Sequence, residues 1–169
     1  MKKPAALLCI FVLGFILGLG IKFFYETKVF KAYTWRYKNP VILNCYGPDF
    51  SEINFIRAIS YWTMRGFPIG FYEHNPPAGL CGERDLEGFI ILRKATPGDL
   101  SSSTLASTTR RTSGTSLLSA EIIYSPNSFN LDLLNEHELG HALGFSHIEI
   151  EGHVMHPEYS KMSSRFWMP

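Results

Sequence analysis

His137, Glu138, His141, Gly144 and His147 spell H-E-x-x-H-x-x-G-x-x-H, and no other stretch of the chain so narrows what it can fold into. On a helix, His137 and His141 stand at i and i+4, so both rings leave one face about one turn apart. Glu138 sits beside the first ring, placed to reach a water at a bound metal rather than the metal itself. Gly144 can take a left-handed conformation and end the helix. The chain can then double back and bring in His147. Three imidazole nitrogens leave one tetrahedral position open, which marks a catalytic zinc centre rather than a structural one. A histidine-rich helix on a solvated face has no need of glycine and histidine at these offsets. His74, His153 and His156 lack such spacing and read as surface groups or as supports behind the ligands.

Eight residues after His147 comes Met155, within Val154-Met155-His156-Pro157-Glu158-Tyr159. Together with the longer motif, this segment resembles the metzincin zinc endopeptidases, and among them the matrixins, whose methionine turn lies beneath the metal. The resemblance implies that His137, His141 and His147 bind one catalytic zinc ion. It implies Glu138 as general base and Met155 as the floor of the site. Pro157 and Tyr159 would wall the pocket that takes the residue after the scissile bond. The implied fold is α/β (α+β): a twisted, mostly parallel sheet with an antiparallel edge strand, packed on two long helices, with zinc at the cleft floor. The implied activity is hydrolysis of peptide bonds in extended polypeptides by a zinc-activated water.

Three departures stand out. Ile148 follows the third histidine, where matrixins usually carry serine. Only twelve residues follow Pro157, none of them aspartate, so the acidic brace of the family's closing helix is missing from its usual place. There is no histidine-and-aspartate loop for a second metal, so neither structural zinc nor calcium is expected. These departures motivate a rival reading, a membrane-anchored, zinc-holding binding or structural protein that cuts nothing. An intact Glu138 argues against it.

Residues 1–25 read as a targeting segment. Lys2 and Lys3 precede Ala5 to Ile21, which carries no charge. Such a run suits an uncleaved signal anchor or a cleaved signal peptide with Gly18-Leu19-Gly20 near the cut. Residues 26–39 then read as a linker and 40–169 as the catalytic domain. The expected location is a membrane-anchored extracytoplasmic domain, or a secreted one if the segment is removed. A net charge of +1 gives no reason to expect a nucleic-acid partner. The expected partners are a polypeptide substrate and, through the apolar run, a membrane; oligomeric state is not legible. Cys45 and Cys81 are the two cysteines of the domain, and an exported domain can join them. Cys81 can also be a free thiol, or a faint echo of the matrixin cysteine switch.

A coarse pass gives strand, helix, strand, strand, edge strand, strand and metal helix. Pro40 to Cys45 is a short buried strand. Asp49 to Arg65 is a helix capped by Asp49, with an apolar side made of Ile53, Ile56 and Ile59, joined by Phe55 and Trp62. Ile69 to Glu73 and Gly88 to Arg93 are strands, with a loop over 75–82 between them. Ser101 to Ser119 holds twelve serines and threonines, the composition of a linker, yet threonine also favours strands. Leu105 to Arg111 therefore reads either as mobile linker or as the edge that pairs with substrate, Leu105 and Ala106 being the contacts. Leu117 to Tyr124 is the last strand, and the metal helix runs from Ser128 or Asn130 to Leu143.

Overall fold

A computed structural model describes residues 33–167. The readings on residues 1–25 lie outside the described residues; among those described, no helix is long and apolar enough to cross a membrane. The sheet has six strands: β1 (Thr34–Trp35), β2 (Val41–Asn44), β3 (Phe71–Glu73), β4 (Phe89–Lys94), β5 (Ala106–Ser113) and β6 (Ser116–Tyr124). Among the described residues three α-helices accompany it, α1 (Glu52–Thr63), a short α2 (Ala78–Gly82) and α3 (Leu134–Ala142). β2 pairs in parallel with β3 and β4, and β4 with β6. β5 runs antiparallel along all of β6 and forms the outer edge. This is the α/β arrangement expected from the sequence. β1 falls in the stretch read as linker, yet Thr34 and Trp35 pair with Ser116 and Leu117.

Why these strands are central follows from their side chains. Ile42, Ile90, Ile91, Leu92, Leu117 and Ile122 are fully buried, the near-continuous apolar reading of parallel strands covered on both faces. β5, by contrast, buries none of its residues fully; its serine, threonine and arginine side chains are half-buried or exposed, as on an edge facing solvent. Within the Ser/Thr-rich stretch, Ala106–Ser113 thus form a strand held by its ladder to β6, and the linker alternative falls for this edge.

Helix α1 corrects the sequence reading in two ways. It starts at Glu52 after Ser51, and Asp49 makes no cap; Phe50 instead closes a turn onto Gly47. Its buried face is Phe55, Ala58, Tyr61 and Trp62, while Ile53 is 73% exposed and Ile56 40%. Two apolar stripes compete on this helix. The aromatic one buries more area per residue, and so it turns inward. Phe55 joins a cluster with Phe50, Tyr46, Phe129 and Tyr124. Trp62 stacks on Phe145, ring centroids 5.0 Å apart, with Phe67 and Phe166 edge-on. The loop expected over 75–82 contains α2, and a disulfide joins its Cys81 to Cys45 at the end of β2.

The metal helix also starts later than the spacing suggests. Ser128–Asn130 form a single 3₁₀ turn. Leu133 then adopts φ 64°, a left-handed conformation that costs a branched residue roughly 1–2 kcal/mol, and α3 begins at Leu134. The surrounding contacts offset that cost, which fixes the entry of α3 independently of helix propensity.

Candidate metal and active site

Helix α3 is buried along almost its whole length, including Asn135, Glu136, His137 and Glu138. Buried polar groups must find partners, and here the partners set the site. Asn135 Nδ2 donates to the Phe129 carbonyl at 2.9 Å. Glu136 accepts from Arg57 Nε at 3.1 Å, and its backbone carbonyl accepts from Trp62 Nε1 at 2.7 Å. At the far end, Trp35 Nε1 donates to the Ala142 carbonyl and Arg110 to those of His141 and Phe145. A brace for α3 is thus supplied by α1 and by β1 and β5. Sequence reasoning missed it, because its members lie 31 to 107 residues from their partners.

The imidazoles are oriented the same way. His137 Nδ1 lies 2.8 Å from the Val154 carbonyl, and His141 Nδ1 lies 2.9 Å from that of Phe145. A carbonyl only accepts, so both Nδ1 atoms carry the hydrogen and both Nε2 atoms present lone pairs. Those Nε2 atoms are 3.0 Å apart. Two facing lone pairs repel each other unless a cation lies between them. Zinc–nitrogen bonds of roughly 2.0–2.1 Å hold tetrahedral neighbours about 3.3 Å apart, so the pair fits a shared zinc ion. His147 contributes a third nitrogen, and the three ligand atoms lie within 4.8 Å of one another. In the metal-free chain, burial holds His137 down at about 4 and His141 at about 3, and lowers His147 as well. All three are therefore neutral near pH 7, the form that binds metal.

Two glycines permit this geometry. Gly140 lies on α3 against Met155 and Trp62; a Cβ there would come within 2.6 Å of Trp62 and closer still to the Met155 sulfur. Gly144 has φ +105°, and a Cβ on it would meet the Tyr33 carbonyl at 2.6 Å. The chain turns there and delivers His147. Met155 is fully buried beneath α3, and its carbonyl accepts from the Ile148 amide at 2.9 Å. Ile148, the departure after the third histidine, is itself buried in that contact.

Glu138 is 5% exposed. Burial pushes its carboxyl up to about 7 in the metal-free chain, against a hydrogen bond from Thr108 that lowers it. A cleft of about 590 Å³ opens over these groups. Its walls include Leu105 and Ala106 at the start of β5, Pro157 and Tyr159 beyond the methionine turn, and His137, Glu138, His141 and His147. All four residues read from the sequence as substrate contacts thus border one cavity with the histidines. Thr108 and Arg110 border it too, and the sequence reading passed over both. Their signal was the period of two along the edge strand, which puts them on the face of Ala106.

His153 and His156 are buried, at 0% and 6% exposure, and a surface reading is wrong for both. His153 Nδ1 accepts from the Met155 amide at 3.0 Å, and His156 Nδ1 from that of Glu158 at 3.0 Å. Each fixes part of the methionine turn. His74, part-buried, lies 3.4 Å from Asn44 Nδ2.

The sequence pattern of the matrixin family, a group of zinc metallopeptidases, matches residues 31–168. No curated protein matches the chain.

Proposed function

Because the chain belongs to the matrixin family, we propose that it is a zinc-dependent endopeptidase that cuts extended polypeptides. The observation that carries this reading is the convergence of three neutral imidazoles with a buried carboxylate in one cleft edged by β5. His137, His141 and His147 would hold the ion. Zinc, when bound, supplies Lewis acidity, which polarises the scissile carbonyl and acidifies water.

The remaining chemistry belongs to the chain. Glu138 takes a proton from the attacking water and returns it to the departing amine. Its carboxyl, raised by burial, suits a group that must both accept and release a proton near neutral pH. β5 presents an outer edge to which an extended substrate can add as a further strand, with Leu105 and Ala106 beside the reacting bond. Pro157 and Tyr159 border the recess for the following side chain, and the Tyr159 hydroxyl, donating to the Asp132 carbonyl at 2.8 Å, holds that wall in place. Met155 supports the imidazoles from below. The Cys45–Cys81 disulfide supports an oxidising, extracytoplasmic location. Membrane anchoring through residues 1–25 belongs to the same proposal.

The test is cleavage of a fluorescence-quenched peptide library by the full chain, with zinc and with chelator. Cleavage that stops on chelation and returns with zinc supports the reading. Equal cleavage in chelator contradicts it.

A further inference from the structure

Thr108 stands on the edge strand, away from the metal-helix motif, yet its hydroxyl reaches Glu138 twice. Oγ1 lies 2.6 Å from Glu138 Oε2 and 3.2 Å from the Glu138 carbonyl oxygen. One hydroxyl hydrogen serves one acceptor at a time, and the shorter contact to a charged oxygen is the stronger. The carbonyl has its own helical partner available, so the carboxylate oxygen is the one that depends on Thr108. Among the described residues, no partner falls on Glu138 Oε1.

We propose that Thr108 is a positioning residue that fixes the general base by holding Oε2, leaving Oε1 as the oxygen that exchanges the proton. This inference rests on the reading of Glu138 as base. A carboxylate on a flexible stem loses side-chain freedom when one oxygen is tethered, so the other is aimed before the reaction begins. The tether also couples two parts of the site. Thr108 is opposite Ile122 in the β5–β6 ladder, two residues along from Ala106. The strand that receives the substrate is therefore the strand that aims the base, and a slip in its register would release Oε2. Threonine suits both duties, since its branched side chain favours the strand and its hydroxyl supplies the donor.

The experiment compares Thr108→Val, which keeps the branched shape and removes the donor, with Thr108→Ser, which keeps the donor. Both are made in the full chain and measured beside wild type and Glu138→Gln. Expected is a 10- to 100-fold fall in kcat for Thr108→Val, about the scale of a lost supporting hydrogen bond, with KM within about twofold and zinc content unchanged. Thr108→Ser should recover kcat to within a few-fold. A second readout needs no turnover. The infrared difference between wild type and Glu138→Gln isolates the Glu138 carboxylate stretch, which should shift in Thr108→Val and return in Thr108→Ser. Wild-type kcat in Thr108→Val, an unshifted carboxylate band, or a serine variant as impaired as the valine would overturn the proposal. If Glu138→Gln stays fully active while the band still shifts, the base assignment fails and the tether stands.

Discussion

Replacing Gly140 with alanine sets two effects of known size against each other. Alanine in a helix interior is favoured over glycine by about 1 kcal/mol. On an open helix face Gly140→Ala would therefore stabilise. Here the added methyl points at the Met155 sulfur and at Trp62 Cζ2, 2.6 Å away. Both obstacles are side-chain ends, which can move when they have room. Neither has it: Met155 and Trp62 are fully buried. Trp62 is also pinned by its bond to the Glu136 carbonyl and its stack on Phe145. Forcing one carbon into such a core costs about 1–3 kcal/mol, and the enclosure puts this site at the upper end. The net expectation is a loss of about 2 kcal/mol. For a domain of this size that is a fall in melting temperature of roughly 6–8 °C. Relief must come from lifting α3 off Met155, which moves His137 and His141, so zinc affinity should fall about tenfold as well. Calorimetry of the metal-free chain and zinc competition with a chromogenic chelator measure the two effects. A melting temperature that is unchanged or raised would mean instead that the wall behind Gly140 yields freely.

On α1, Ile53→Lys should change stability by less than about 0.5 kcal/mol, whereas Phe55→Ala should cost about 3–5 kcal/mol; urea unfolding separates them, and reversed effects would restore the isoleucine stripe as the buried face. The metal-free chain should lose stability as pH falls from about 6.5 toward 4. Below 6.5 the unfolded chain protonates both histidines, while the folded chain holds His137 at about 4 and His141 at about 3. Glu138 works the other way, since its folded carboxyl, at about 7, takes up a proton before the unfolded one does. Two histidines against one carboxyl leave a net loss, and Glu138→Gln should steepen it; urea midpoints that stay flat between pH 6.5 and 5 in both proteins would contradict this.

What could be read from the sequence was local. The spacing of His137, His141, Gly144 and His147 lies within three turns of chain, and backbone geometry alone brings it together. The parallel strands announced themselves through buried aliphatic runs bounded by glycine and proline. The Ser/Thr-rich stretch was ambiguous because composition speaks for a linker and β-propensity for a strand; only the ladder to β6 decides it. The face of α1 was misread because two apolar stripes share one helix, and which turns inward depends on the Phe50 and Phe145 clusters it meets. The start of α3 was misplaced because Leu133 takes a left-handed conformation that no propensity favours. The holds that Thr108, Arg57, Trp62 and Arg110 keep on α3 escaped notice for a common reason. Each acts on α3 from a distant element; the period of two along the edge strand groups Thr108 and Arg110 with Ala106, but nothing in the sequence pairs any of the four with α3.

Whether Glu138 is the proton-carrying base of a zinc peptidase is decided by Glu138→Gln. The variant keeps the shape of the side chain, and all three imidazoles. Zinc content and peptide cleavage should be measured on the same preparation. Expected are one zinc per chain in both proteins and cleavage reduced on the order of 10³-fold in the variant. Cleavage by Glu138→Gln at the wild-type rate, with zinc bound, would contradict that role.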